Sequence, residues 1–460
     1  MKQKIGLLVL YYLRFFAKLQ LQKNPNCKII GITGSAGKSS TRNAIYSVLA
    51  SKYRVKASFK ANSESGIPLD ILGLEMHDYS LLDWLRVLFL APLKWLTYHQ
   101  KFDYYIVEMG IDSPNPPKNM EFLLNIVQPK IAVFLNAGAS HAFAFDHLVK
   151  EGDPTTRQEK IIKAIAQEKA KLILTLPKSG LALLNYDDPN VKKSCQKLEA
   201  ETYSFGSNNF CDLQIVEHQT QLMASVVKTI FVFKVENHYS QLGEQNKNFK
   251  IEITNYLLPK HYAYSFAAAI LIGLKAGLKI TEIKTTLEKN FTLPPGRASI
   301  IKGQKQALIL DSSYNASSMK DMIELMASLK NFSGRKLALL GDMRELGVST
   351  SIIHEEIAQM AATVFDQIFI VGPAMKKFAL PILEKKMTGR VTSFNNSIEA
   401  GKAIAALLKA NDLILVKGSQ NTIFLEEAIK IMMADLPLAS ALLCRQSNYW
   451  LKVKRQTIAK

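Results

Sequence analysis

At 460 residues, with 48% hydrophobic and 21% charged side chains, the chain is long enough for two or three domains and for an ample core without covalent staples. Its four cysteines, Cys27, Cys195, Cys211 and Cys444, form no CxxC pair, which argues against a zinc ribbon or a disulfide framework and fits a reducing cytoplasm. The formal net charge of +19 draws polyanions, but no zinc finger, aromatic-rich RNA-binding motif or recognition helix accompanies it, so nucleic acid is not an expected partner.

Met1 to Gln22 carries an apolar run from Ile5 to Leu13, interrupted by Arg14 and Lys18. It is too short and too charged for a membrane span. It reads either as an interfacial helix with Lys2, Lys4, Arg14 and Lys18 at head groups, or as a helix packed on the neighbouring domain. Cys27 to Thr41, CKIIGITGSAGKSST, then reads as a strand, a phosphate-binding turn and a helix from Gly37. Gly34 and Gly37 let the backbone approach an anion, and the amides of the new helix point at phosphate oxygens. Lys38 would reach the outer phosphates and the Ser39 hydroxyl would hold Mg2+. The strict motif wants glycine at position 32, where this chain has Ile32.

Ser58 to Leu74 is polar and then apolar, with Gly66 and Pro68 as a turn signal. Leu81 to Tyr98, with Trp84, Trp95 and Pro92, reads as a helical pair broken at the proline, serving packing, an interface or membrane contact. Tyr104 to Met109 is a buried strand ending in Glu108, and Lys130 to Asn136 is another that leads to His141. Strand carboxyl ends converge on the ligand crevice of an open α/β sheet, so Glu108, His141 and the phosphate loop are expected in one site. Thr156 to Lys171 is helical and contains Lys169. Leu181 to Asn185 is a strand, and antiparallel strands follow between Leu213 and Leu258. Tyr262 to Ala276 is a helix, with a shorter one to Lys289. LPPGRASI, Leu293 to Ile300, marks a boundary, and five further strands alternate with helices beyond it. The expected α/β architecture is a short apolar and basic helix at 1–26, a P-loop ATP-binding domain at 27–294 with a parallel sheet plus antiparallel strands, and a Rossmann-like domain at 295–460.

In order and spacing, TGSAGKSS at 33–40, Asn62 to Pro68, EMG at 108–110, LNAGASH at 135–141, EKAK at 168–171, NYDDP at 185–189, KHYAYSFAAA at 260–269, PGR at 295–297, DSSYNAS at 311–317, GDMRELG at 341–347 with His354, and VKGS at 416–419 form one series. This series resembles the Mur ligases, ATP-dependent amide-forming enzymes of peptidoglycan precursor synthesis. GDMRELG with SYNA is most similar to the members that add D-alanyl-D-alanine to UDP-N-acetylmuramoyl-tripeptide. The resemblance implies ATP and two Mg2+ ions as cofactors. It implies ATP contacts from Thr33, Gly34, Ser35, Ala36, Gly37, Lys38, Ser39 and Ser40, with catalytic roles for Lys38, Glu108, His141, Lys169 and Arg297. Ser39, Glu108, His141 and a carbamylated Lys169 would hold metal, while His261, Arg297, Asp311 and Asn315 would serve the nucleotide. Departures are Tyr262 and Ser265 where Asn is expected, Ser312 for Asp, Ser318 for Pro, and Lys171 for an acid.

Only 26 residues precede the first strand, so the family's UDP-binding domain is expected to be missing or reduced. The remaining alternatives are a related ligase on a lipid-linked, folate or polypeptide carboxylate, and a non-catalytic nucleotide-binding scaffold at the membrane. The expected enzyme is a cytoplasmic monomer acting on nucleotide and muropeptide substrates, with peripheral contact at the inner membrane face through residues 5–19 and 81–98.

Overall fold

The computed structural model describes residues 2–59, 61–139, 142–150, 152–223, 226–235, 248–419 and 422–458. Two compact units form: Met1–Glu217 with Val232–Ile251 and Tyr262–Phe291, and His218–Phe231 with Glu252–His261 and Thr292–Lys460.

In chain order the first elements are α1 (Lys2–Gln22), β1 (Lys28–Thr33), α2 (Lys38–Leu49), β2 (Val55–Ala57), α3 (Gly66–Leu72) and α4 (Leu81–Thr97). Then come β3 (Tyr104–Glu108), α5 (Met120–Leu124), β4 (Ile131–Phe134), α6 (Pro154–Leu174), β5 (Leu181–Asn185), α7 (Pro189–Ser194) and β6 (Glu201–Gly206). β7 (Leu213–Met223), β8 (Val226–Val235), β9 (Asn248–Thr254), α8 (Tyr262–Lys275) and α9 (Ile280–Asn290) complete the series. The sheet order is β2-β3-β1-β4-β5-β6-β7-β8-β9. From β2 to β7 the neighbours run parallel. β7 and β8 are adjacent and only two residues apart in sequence, a link that permits only antiparallel pairing. β3, β4 and β5 are buried at every position because helices cover both faces, which is why they read as unbroken apolar runs. β1 lies between β3 and β4, with Ile32 opposite Glu108 and Thr33 opposite Phe134. Their carboxyl ends are therefore level at the point where the strand order reverses.

The later elements are β10 (Ser299–Lys302), β11 (Leu308–Ser312), α10 (Met319–Ser328), β12 (Lys336–Gly341), α11 (Thr350–Ala361), β13 (Gln367–Val371) and α12 (Leu380–Lys386). β14 (Val391–Phe394), α13 (Ser397–Leu407), β15 (Leu413–Lys417), α14 (Glu426–Met432), α15 (Ala439–Leu442) and α16 (Asn448–Ile458) complete the chain. Their sheet has the order β10-β11-β15-β12-β13-β14, parallel except for β10 against β11. Its core includes Ile309, Leu339 and Val416 from the strands against Ile404 and Ile429 from α13 and α14.

Three local expectations are corrected. Leu81 to Thr97 is one helix rather than a pair broken at Pro92. Proline has no N–H to give the Leu88 carbonyl four residues back, and the Tyr12 hydroxyl of α1 donates to that carbonyl instead, at 3.0 Å. Gly66 and Pro68 do not make a free turn but stand in the first turn of α3, where a missing N–H costs nothing. Ser299 and Ile300, read as the end of the boundary, open an edge strand, Ser299–Lys302, antiparallel to β11.

Candidate active site

Ile32 is wholly buried inside β1, so the glycine of the strict motif has no place there and the loop proper is the shorter Gly34-Ser-Ala-Gly-Lys38. Gly37 takes φ 85°, a left-handed turn that a side chain would strain, and α2 starts at the next residue. The first amides of a helix lack intrahelical acceptors, so those from Lys38 onward form an anion-binding end. The rest of the loop is fastened from below. The Thr33 hydroxyl is buried and donates to the Met109 carbonyl at 3.2 Å. Asn136 grips Ala36 twice, its Oδ1 accepting from the amide at 2.9 Å and its Nδ2 donating to the carbonyl at 3.1 Å. Ser35 donates to the Gly138 carbonyl at 3.1 Å, and Ser40 and Thr41 both meet the buried Ser265 hydroxyl, at 3.0 and 2.9 Å. Ser265, where Asn was expected, thus braces the first turn of α2.

Lys38 Nζ donates to the Gly34 carbonyl at 2.6 Å, folded over the loop. Glu108, 2% exposed, divides its carboxylate: Oε2 accepts from the Ser39 hydroxyl at 3.1 Å, and Oε1 pairs with the buried guanidinium of Arg42. Arg42 also donates to the Ser58 and Phe59 carbonyls, at 2.9 and 3.2 Å. A hydroxyl and a carboxylate oxygen side by side suit a small hard cation whose other positions are taken by water and phosphate oxygens. Among the described residues no group of three or more His, Cys, Asp or Glu could form an all-protein cage.

Lys169 of α6 is buried, with Nζ 3.4 Å from the same Gly34 carbonyl. Desolvation, and then the positive charge of Lys38, hold its amine well below the ordinary lysine value. Lys171, in place of the expected acid, pairs with Glu168 at 2.6 Å, and Glu168 in turn accepts from the Met120 amide at 2.9 Å. His141 lies outside the described residues.

In the other unit β15 lies between β11 and β12, with Lys417 opposite Ser312 on one side and Leu340 on the other. The three motifs DSSYNAS, GDMRELG and VKGS therefore leave the carboxyl ends of three adjacent strands. Lys417 Nζ donates to Ser312 Oγ at 3.2 Å and to the Asn315 carbonyl at 3.1 Å. Desolvation, and then the charge of Arg297, lower its pKa to about 7. Asp311, wholly buried, accepts from the Ser313 amide at 2.9 Å, and desolvation raises it to about 6. The Arg297 guanidinium lies over the Tyr314 ring at 4.4 Å. His261 Nδ1 is 3.3 Å from Asp321. His354 accepts from the Met343 amide at Nε2, 3.1 Å, and faces the Thr350 carbonyl at Nδ1, 2.7 Å. An amide can only donate and a carbonyl only accept, so this imidazole is the neutral Nδ1–H tautomer, and burial lowers its pKa in the same direction. Its place is to hold the GDMRELG loop, which the Arg344 amide ties to Ser419 Oγ at 2.8 Å.

Arg42, Asn136, Lys417 and Arg445 were not singled out from the sequence. Asn136 and Lys417 stood inside recognised motifs, but Arg42 reads as one more polar residue of a helix. Arg445 lies beyond the motif series, yet it donates to the Ser313 and Tyr314 carbonyls at 3.1 and 3.0 Å and pairs with buried Glu426 at 2.7 Å.

The profile of the Mur ligase middle domain matches residues 32–273, more than half of the chain, and that of the Mur ligase glutamate ligase domain matches 296–420. The chain belongs to the Mur ligase family. Among relatives of this Mur ligase, the UDP-N-acetylmuramoyl-tripeptide–D-alanyl-D-alanine ligase of Bacillus subtilis is 28% identical over 424 residues, 91% of this chain and 78% of that one. The same-named enzyme of Rickettsia prowazekii is 28% identical over 416 residues, 87% and 77% of the two chains. The MurF ligase of Thermotoga maritima, solved with ADP, has a TM-score of 0.69 at 21% identity over 97% of this chain and 84% of its own, which shows the common fold. The family's reaction class makes this Mur ligase an ATP-dependent, ADP-forming ligase.

Proposed function

We propose that this Mur ligase joins D-alanyl-D-alanine to the free carboxylate of a UDP-N-acetylmuramoyl-tripeptide in the cytoplasm. The observation that carries the reading is the meeting of Lys38, Ser39, Glu108 and Lys169 around the Gly34 carbonyl and the N-terminus of α2. A carboxylate oxygen of the acceptor attacks the γ-phosphorus of ATP and ADP leaves. The amine of the dipeptide then attacks the acyl carbon, phosphate leaves, and the nitrogen gives up a proton. Phosphoryl transfer of this kind asks the protein mainly for placement and charge neutralisation. The amides of α2 and the ammonium of Lys38 supply both. Ser39 and Glu108 would hold Mg2+, which neutralises phosphate charge when bound. Arg42 holds the Glu108 carboxylate in place through their ion pair.

A desolvated lysine amine is nucleophilic enough to take up CO2, and a carbamate at Lys169 would place beside Lys38 an anion able to face metal. Arg297, Asp311, Asn315 and His261 are assigned to the same nucleotide by resemblance, with 27–294 and 295–460 as the two functional domains. The exposed apolar face of α1 and α4 favours a second reading of the acceptor, a lipid-linked muropeptide with the same carboxylate.

The test is ADP release and product mass with ATP, Mg2+, D-alanyl-D-alanine and either acceptor. Ligation with the UDP-linked tripeptide, reduced about 100-fold or more by Lys38→Ala, is the expected result. ATP turnover that ignores both acceptor and dipeptide would overturn the reading.

A further inference from the structure

We infer that α1 and α4 together form a docking face for an anionic lipid bilayer, lying flat in its interface. Both helices bury one side and leave the other bare. Leu13 and Ala17 of α1 and Val87 and Ala91 of α4 are wholly buried, and Leu13, Val87 and Ala91 pack with Leu69 and Leu72 of α3. On the outer side of α1, Leu8, Tyr11, Tyr12 and Phe15 recur at helical spacing, and on α4 Leu82, Leu85, Phe89, Leu93 and Leu96 do the same. The exposures are far from marginal: 67% at Leu8, 77% at Leu82 and 72% at Phe89.

The two stripes are joined. The Tyr12 hydroxyl bonds the Leu88 carbonyl, Gln20 Nε2 bonds the Tyr98 carbonyl at 2.6 Å, and Lys23 bonds the Trp95 carbonyl. The middle of α1 meets the middle of α4 and the end of α1 meets the end of α4, so the helices run side by side in the same direction. Contiguous apolar surface of this extent marks an interaction site on a folded chain.

Charge decides what covers it. In sequence, α1 and α4 carry the cations Lys2, Lys4, Arg14, Lys18, Arg86 and Lys94. Their one carboxylate, Asp83, is buried and paired with Arg86 at 2.7 Å. Aromatic rings lie beneath two of the cations: Arg14 is 4.6 Å from Tyr11, and Lys94 is 5.9 Å from Tyr98. An apolar stripe with basic side chains and amphipathic aromatics, and no solvated carboxylate on either helix, is the pattern that inserts among acyl chains while cations meet phosphate head groups. A second copy of the same face would set cation against cation. Among the described residues no helix is long and apolar enough to cross a membrane, so the pair lies in the interface plane.

The experiment is flotation of the full chain with vesicles of phosphatidylglycerol and phosphatidylcholine, against phosphatidylcholine alone, at low and high salt. Binding to the anionic vesicles that weakens with salt is expected, and a Leu85→Glu/Phe89→Glu variant with parental melting behaviour and nucleotide affinity should lose about tenfold or more of it. In a Phe89→Trp variant, brominated lipid should quench the new indole. Equal flotation of parent and double variant, an unquenched Trp, or a concentration-dependent dimer abolished by the double variant without vesicle binding would each overturn the inference. Neither acceptor nor ATP enters the assay, so failure of the ligase reading leaves this result separately legible.

Discussion

Arg42 and Glu108 form an ion pair deep in the first unit, 2% exposed each, and their energetics separate structure from chemistry. Removing one member of a buried pair strands the other charge, which typically costs about 3–5 kcal/mol, whereas neutralising both costs far less. Arg42→Met should therefore lower the unfolding free energy by about 3–5 kcal/mol in urea titrations, and Arg42→Met/Glu108→Gln should regain much of that loss. The double variant should still lack Mg2+-dependent ATP turnover, because its carboxylate is gone; retained turnover would remove Glu108 from metal binding. Lys417 makes a pH-dependent contribution. Its amine titrates near pH 7 in the folded chain, against an ordinary lysine value once unfolded. Between those values the unfolded chain binds the extra proton, so stability rises with pH from about 7 toward 10. Lys417→Met should flatten that rise, whose slope for one group is at most about 1.4 kcal/mol per pH unit. An unchanged slope would show that Lys417 is charged in the folded chain.

Elements were legible in the sequence where one local signal sufficed and misread where a distant residue decided. The strands β1, β3, β4 and β5 are apolar runs of the right length, and Glu108 stands out because it closes one of them. α4 went wrong because the cost of a helix-interior proline depends on who satisfies the Leu88 carbonyl, and that partner, Tyr12, is far away in the chain. Arg42 was hidden for the same reason, since nothing nearby in sequence announces that its helix face meets Glu108. The Tyr12–Leu88 bond can be tested by a double-mutant cycle. Tyr12→Phe should cost up to about 1 kcal/mol in the parent. In a Pro92→Ala background, where residue 92 regains an N–H for that carbonyl, the same change should cost close to nothing. Equal costs in the two backgrounds would mean that the hydroxyl does not substitute for the missing amide.

At the scale of the whole molecule, the order of the motifs along the chain was readable, but not the hydrogen bonds that fasten them. Asn136, Ser265 and Arg445 fasten loops, and although Asn136 and Ser265 stand inside recognised motifs, nothing in a motif says which loop each one holds. The proposal makes a demand on both units at once: the phosphate loop belongs to one and Arg297 to the other, yet both are assigned to one nucleotide. A ligand bound only by the folded chain raises stability by about 2.7 kcal/mol at a hundred times its Kd. Loss of a hydrogen bond to a charged group costs about 1.5–3 kcal/mol, which weakens binding on the order of tenfold to a hundredfold. Thermal shifts recorded against ATP concentration with Mg2+ should therefore move to higher nucleotide in Lys38→Ala and also in Arg297→Ala, while unliganded melting stays near that of the parent. If Arg297→Ala follows the parent curve and only Lys38→Ala departs from it, the nucleotide is served by the first unit alone, and the assignment of Arg297, Asp311 and Asn315 to ATP falls with it.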